Sequence, residues 1–333
     1  MKMRKLVTLA IAAAMTMGIA TAASAADYTI KLGHACSSVH PYNQGAEKFK
    51  ELVEERTNGA ITVELYPESL LGAERDLIEG LQMGSVEMCI VSTAPLSSYS
   101  DAFLAFDLPF LFVTKAQARG VVDSEIGQSM FDSLAETSGI IGLCYFENGF
   151  RHFTNDDHPL VKAEDFKGMK IRVMENQVMM ATITALGGSP TPMAFNELYN
   201  ALQQKTIDGE ENPIGQIYDK KMYEVQHYIT ISNHFYAPAP LLISRSFFES
   251  LPADYQEIIK TAALEARDYE RGRTDAEEDA QLQEMIDKYG CEVCFDPDIA
   301  SLQAATQAVY DEFVGDGKLI DPNVVEQIRN FPT

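Results

Sequence analysis

Hydrophobic positions along the chain switch between a period of two and a period near 3.6, and the switches come at regular intervals. Tyr28 to Ala35 reads as a strand, Tyr42 to Arg56 as a helix with Ala46, Phe49, Leu52 and Val53 on one face, and Ile61 to Tyr66 as a second strand, which makes a βαβ unit. Ala73 to Met83 continues as a helix through Leu77, Ile78 and Leu81, and Val86 to Val91 is a third strand ending at Ser92-Thr93. This order predicts an α/β fold with a parallel sheet under covering helices. An Asn148-Gly149 turn introduces a strand at Phe150 to Thr154, and Met169 to Met174 forms a strand feeding a helix from Asn176 to Leu186 that Gly187-Gly188 stops. A helix at Asn196 to Gln204 and strands at Ile207 to Glu210, Gln226 to Ile231 and Ala239 to Ser244 complete a second α/β region.

After Pro252, the residues Tyr255, Ile258, Ile259, Ala262, Ala263 and Ala266 keep helical spacing, and no proline occurs before Tyr289. A helix of about 38 residues reaches about 57 Å, which exceeds one small domain, so it is expected to lie across two, with Gly272 as a candidate kink. Its charged middle, Glu270 to Asp279, reads as a solvated face.

The N-terminus adds a compartment. Lys2, Arg4 and Lys5 precede an apolar run from Leu6 to about Ala23, and Ala23-Ser24-Ala25 has the small-x-small form of a signal peptidase site. Residues 1–25 are therefore expected to be a cleaved signal peptide, leaving a periplasmic protein; the run is Ala- and Thr-rich, unlike a membrane anchor. The chain has 333 residues, enough for about two domains. Its formal net charge of −23 repels phosphate backbones, which excludes nucleic acid as an expected partner. A small anion is not excluded, because a local arginine in a cleft outweighs a screened surface field.

Five cysteines, an odd number, make no disulfide framework. Cys291-Glu-Val-Cys294 lacks the second Cys/His pair of a zinc site, and on a strand from Cys291 to Phe295 the two thiols face opposite sides, so structural thiols are favoured over a disulfide between them, and a metal is the least expected. No nucleophile elbow, dinucleotide fingerprint, P-loop or H-E-x-x-H is present, and neither a metal nor a cofactor is expected. His34 and His40 read as locally bonded rather than as metal ligands. A hydrolase using a carboxylate pair such as Glu74 with Glu210 or Glu211 is the alternative from another class.

Arg172 is more specific: Met169, Ile171 and Val173 take one face of its strand, and the guanidinium sits near the strand's C-terminal end, where open α/β sheets bind ligands. There its planar fork suits a carboxylate, although an arginine in a strand is more often a surface ion-pair partner, and Arg151 shares that ambiguity. Ser189-Pro-Thr-Pro-Met-Ala-Phe-Asn196 is held extended by its prolines and delivers Phe195, a cleft wall or a core aromatic, just before a helix.

Phe166-Lys-Gly-Met-Lys-Ile-Arg-Val-Met174, Ala185-Leu-Gly-Gly-Ser-Pro-Thr-Pro-Met-Ala-Phe-Asn-Glu-Leu-Tyr199 and Ile207-Asp-Gly-Glu-Glu-Asn-Pro213 occur in order and at set intervals. With Leu71-Gly-Ala-Glu74, Asp107-Leu-Pro-Phe110 and Asn148-Gly-Phe-Arg151, they resemble the DctP-like solute receptors of TRAP (tripartite ATP-independent periplasmic) transporters over essentially the whole mature chain. The resemblance implies a two-lobed periplasmic binding protein fold, each lobe a sheet covered by helices, with hinge strands and a long C-terminal helix spanning both lobes. Lobe I is expected at 26–149 plus about 237–275, and lobe II at 150–236 plus about 276–333. Arg172 matches the family arginine that pairs with a ligand carboxylate, Arg151 a second arginine that assists, Phe195 the aromatic beneath the ligand, and Asn212 the amide after Asp-Gly-x-Glu. Glu74, Ser92 and Thr93, with His34 and Ser38 on the loop after the first strand, would face them from lobe I. Sialate-binding members carry Glu and Arg where this chain has Ser92 and Pro95, so the expectation is another small organic acid, with a lean toward a hydroxylated or sugar acid. The implied partners are two membrane permease subunits driven by an ion gradient, and the receptor is expected to be a monomer without cofactor. A ligand-sensing partner of a membrane receptor would look the same in sequence.

Overall fold

The computed structural model describes residues 26–332; the expected signal peptide and its cleavage site lie outside the described residues. The first βαβ unit forms as its periodicity predicts: β1 (Tyr28–Gly33), α1 (Pro41–Arg56) and β2 (Ile61–Tyr66), with β1 and β2 parallel from Tyr28↔Ile61 to Gly33↔Tyr66. His40 caps α1 by accepting from the Tyr42 N–H at 3.1 Å, and Pro41 needs no donor at the first helical position. Next come α2 (Glu74–Met83) and β3 (Met88–Ile90), which is shorter than the apolar run and parallel to β1. The segment from Ala94 to Ser138, unassigned by periodicity, folds as two 3₁₀ turns, Ala94–Ser98 and Asp101–Asp107, and two helices, α3 (Lys115–Val122) and α4 (Glu125–Ser138).

Two long antiparallel strands, β4 (Ile140–Asn155) and β8 (Tyr228–Ser244), run side by side from Ile140↔Ser244 to Asn155↔Tyr228. Here the structure differs from the sequence reading. Asn148-Gly149 is not a turn but a bulge: Glu147 pairs Pro238 and Gly149 pairs Ala237, which leaves Asn148 without a partner. Gly149 takes φ +111°, which bends β4 without reversing it, because β8 carries the ladder past the bulge. The strands expected at Gln226 to Ile231 and at Ala239 to Ser244 are likewise the two ends of β8, joined through Pro238 and Pro240.

Between the long strands lie β5 (Lys170–Val173), α5 (Gln177–Ala185), β6 (Ser189–Pro192), α6 (Phe195–Gln203), β7 (Gly209–Asn212) and α7 (Ile214–Asp219). After β8 follow α8 (Arg245–Ser250), α9 (Ala253–Asp287), β9 (Glu292–Cys294), α10 (Ile299–Phe313) and α11 (Pro322–Arg329). The strand order is β2-β1-β3-β8-β4-β7-β5-β6, with β9 on β8. The two expected sheets are thus continuous, because β4 and β8 run through both halves.

The 35-residue α9 stays α-helical through Gly272 and packs on α1, β4 and α7, spanning both halves. Its charged middle is not wholly solvated. Glu270 and Arg271 are buried: Glu270 accepts from the Glu147 N–H at 3.0 Å, and Arg271 donates to Asp123 and to the Tyr145 carbonyl. One apolar core, including Ile30, Phe49, Ile90, Leu241 and Ile259, lies between α1, the sheet and α9, and a separate one around Phe166, Ile171, Met179 and Ile183 fills the β5 side. All five cysteines are free. Among the described residues no helix is long and apolar enough to cross a membrane.

Candidate functional site

Arg172 stands on β5, between Thr191 of β6 and Glu210 of β7, and is 1% exposed. Its Nε and Nη2 both donate to the Met193 carbonyl, at 3.0 and 2.7 Å, which fixes the plane of the guanidinium. Nη1 is buried and has no partner, and among the described residues no carboxylate oxygen lies within 4.0 Å of this side chain. Phe195 places its ring 6.0 Å from Arg172 Cζ. Burial pushes the arginine pKa down to about 10, so the group remains a cation at neutral pH. A buried charge without a counterion is unfavourable by several kcal/mol, which makes this position attractive to an anion.

That unpartnered cation borders a narrow cavity between the two halves of the sheet. Glu74, Ser92, Arg172, Phe195 and Asn212 line it, so five of the nine residues expected at the site converge. Asn148, Gln216, Tyr42, Ala35, Cys36 and Met174 complete the wall and were missed. Asn148 is the bulged residue of β4, and the bulge aims its amide at the cavity, where it meets Ser92 Oγ at 3.5 Å and accepts from Gln216 Nε2 at 3.0 Å. A neighbouring narrow cleft shares Glu74, Arg172, Met174 and Phe195 and extends to Arg75 and Glu175, whose side chains approach to 3.9 Å. A more spacious depression between Asp156 and Asp208 holds the Lys205–Asp156 pair, where Lys205 is exposed; no buried unpaired charge borders it.

Glu74 opens α2, and its Oε1 accepts from the Ser92 N–H at 2.6 Å, while burial raises its pKa. Asn212, at the end of β7, accepts from Arg151 Nη2 at 3.1 Å and donates to Glu210. Gly209 begins that strand because a Cβ there would lie 2.4 Å from the Thr154 carbonyl oxygen of β4.

The remaining expected residues lie elsewhere. The Arg151 guanidinium is engaged by Glu211 through Nε and Nη2 and does not line the cavity. Burial favours the neutral form of Glu211, but Arg151 and His234 outweigh it and hold this carboxyl below its ordinary range. His34 is buried against α1, with Nε2 3.3 Å from Asn43 Oδ1; burial pushes its pKa down to about 4, so it is neutral. Thr93 is buried at the start of the first 3₁₀ turn and is not on the wall. Ser38 is exposed and offers its carbonyl to Asn43. Its neighbour Ser37 is the one that reaches across: both its N–H, at 3.1 Å, and its hydroxyl donate to Asp219 of α7. The carboxylate pair of the hydrolase alternative does not assemble, because Glu211 is locked to Arg151 and Glu210 lies behind Asn212. Among the described residues no three His, Cys, Asp or Glu side chains are placed to hold a metal ion.

Comparisons with known proteins identify the family and its fold. The family model for bacterial extracellular solute-binding protein, family 7 (DctP), matches residues 32–316. The C4-dicarboxylate-binding periplasmic protein DctP of Rhodobacter capsulatus is 37% identical over 83% of this chain and 83% of its own. The 2,3-diketo-L-gulonate-binding periplasmic protein YiaO of Escherichia coli is 32% identical over 95% of each chain. A TRAP periplasmic solute-binding protein from Polaromonas sp. JS666, solved bound to D-erythronate, superposes with a TM-score of 0.88 at 34% identity, over 92% of this chain and 99% of the other. These are two-lobed receptors and not an enzyme family. With a matching family model over most of its length and a cavity built around an unpartnered buried arginine, the chain belongs to the DctP-like solute-binding receptors of TRAP transporters.

Proposed function

We propose that this receptor captures a small hydroxylated monocarboxylate between its lobes, with Arg172 as the anchor. The supporting observation is the buried Nη1 of Arg172, which borders the cavity and lacks any partner. A ligand carboxylate there gains a charge-assisted hydrogen bond and neutralises the site. Phe195 forms the floor beneath the ligand; Asn212 and Asn148 supply amides; Ser92 and Glu74 accept from or donate to hydroxyls. A second ligand carboxylate would meet Glu74, while Arg151 is already paired by Glu211, so a hydroxylated tail suits this wall better than a dicarboxylate.

The lobe boundaries follow the bulges. In this reading the hinges lie at Glu147 to Phe153 of β4, where the register shifts twice, and at the facing Phe235 to Pro238 of β8. Lobe I then comprises 26–149 plus about 237–275, and lobe II 150–236 plus about 276–333. Contacts from Ser37 to Asp219 and from Arg75 to Glu175 then join opposite lobes, and ligand shifts the population toward this closed form through contacts it makes only there. The mature receptor, cleaved near Ala25, works as a periplasmic monomer and presents its closed form to the TRAP permease subunits. A thermal-shift screen of mature protein against hydroxy acids, sugar acids, dicarboxylates and keto acids tests this. Ligand at 100 times Kd adds about 2.7 kcal/mol of stability, a shift of several degrees. The reading expects the largest shifts from hydroxylated monocarboxylates; a response confined to dicarboxylates would refute the assigned class.

A further inference from the structure

Thr154 of β4, Glu210 of β7 and Arg172 of β5 occupy one row across three adjacent strands, through the pairings Thr154↔Glu210 and Arg172↔Glu210. All three are buried. The family resemblance covers Glu211 and Asn212 and leaves Glu210 without a role. Its hydrogen bonds are unusual. Thr154 Oγ1 lies 2.8 Å from Glu210 Oε1 and 3.1 Å from Gln226 Oε1. The amide of Gln226 is oriented by its Nε2, which donates to the Val225 carbonyl at 2.8 Å; reversed, two oxygens would face each other there.

A threonine hydroxyl has one proton to give. With Glu210 ionised, two acceptors would compete for that proton, and one close oxygen pair would lack a hydrogen. With Glu210 neutral the chain closes: the carboxyl O–H donates to Thr154 Oγ1, Thr154 donates to Gln226 Oε1, and Glu210 Oε2 still accepts from Asn212 Nδ2. We propose that Glu210, behind the cavity wall, carries a proton and is neutral in the closed receptor, and that its ionisation weakens carboxylate capture at Arg172, its register neighbour on β5.

The surrounding charges are consistent with this. Arg172 on β5 and Arg151 on β4 are cationic, but Arg151 is spent on Glu211, and His152 on β4 and His234 on β8 are held neutral by burial. Burial pushes the Glu210 pKa up to about 7, and the anionic Glu211 beside it adds to the rise against Asn212, Thr154 and Arg151. A ligand carboxylate adds a further negative charge on the same face. Affinity is then level on the acid side and falls by up to about tenfold per pH unit on the alkaline side, the slope of one linked proton.

This inference rests on the receptor reading for its ligand arm only. Two neutral variants, Glu210→Gln and Glu210→Ala, are compared with the wild type between pH 5 and 8.5. In the first arm, without ligand, the thermal midpoint of the wild type is expected to fall relative to both variants as pH rises through about 7, because the folded pKa exceeds the unfolded one. A difference that stays constant over this range in either variant overturns the protonated state. In the second arm, with D-erythronate as probe, wild-type Kd is expected to rise with pH and the Kd of E210Q to stay flat. A slope that persists in E210Q, or a flat wild type, overturns the coupling to Arg172. If D-erythronate does not bind the wild type at any pH, the hydroxylated monocarboxylate with the largest thermal shift replaces it as probe, a response confined to dicarboxylates refutes the proposed ligand class, and the first arm decides the state of Glu210 in every case.

Discussion

Asp219, at the end of α7, receives both the backbone N–H and the hydroxyl of Ser37, which stands on the loop after β1 on the opposite side of the cavity. Neither residue lines the cavity, so this pair can hold the two sides together without touching a ligand. Asp219→Ala is therefore predicted to weaken ligand binding by about tenfold or more, the loss expected for hydrogen bonds to a charged group. Small-angle scattering of the ligand-free variant should report a more open molecule. Unchanged Kd and dimensions would show that the clasp does not bias closure.

Gly149 and Gly209 hold positions that other residues cannot. Gly149→Ala forces a left-handed backbone at φ +111° on a residue with a Cβ, and should destabilise the protein by about 1–3 kcal/mol. Gly209→Ala drives a Cβ to 2.4 Å from the Thr154 carbonyl oxygen, so the damage should be at least as large and should spread to Arg172 and Asn212. Chemical denaturation compares them; wild-type stability in Gly209→Ala would contradict the close β4–β7 approach.

Stability should also depend on pH in a defined way. Burial raises Asp107 and Glu270 to about 8, so each binds a proton in the folded state that the unfolded chain releases, and stability falls as pH rises toward 8. Burial lowers His34 and His40 to about 4, which gives the opposite slope up to the unfolded histidine value of about 6.5. The slopes offset one another below about pH 6.5 and leave a net decline from about 6.5 to 8. A midpoint scan should show this decline, reduced in Glu270→Gln; a midpoint rising from pH 6.5 to 8 would contradict it.

Much of this was legible in the sequence where information is local. The βαβ unit, the strand of Arg172 and the helix opened by Phe195 are set by periodicity, prolines and caps. The long strands were not, because Asn148-Gly149 and Pro238 to Pro240 carry the composition of turns, and only the neighbouring strand turns them into a bulge and a continuation. The same nonlocality hid half of the cavity. Asn148, Gln216 and Tyr42 come from three separate elements that meet only in the fold. Arg151 and Arg172 look alike in sequence, and the presence of Glu211 opposite one of them is what separates an internal ion pair from a free anchor. The burial of Glu270 within a charged run depends in the same way on its meeting Glu147 of β4.

The central claim is that Arg172 is a buried cation waiting for a carboxylate, and titration calorimetry of Arg172→Ala against the wild type tests it most directly. With the acid that gives the largest thermal shift, the variant should remain folded, or gain stability by losing an unpaired buried charge, and should lose about 3–5 kcal/mol of binding, a factor of about 150 to several thousand. Affinity within a few-fold of the wild type in folded Arg172→Ala would contradict the account.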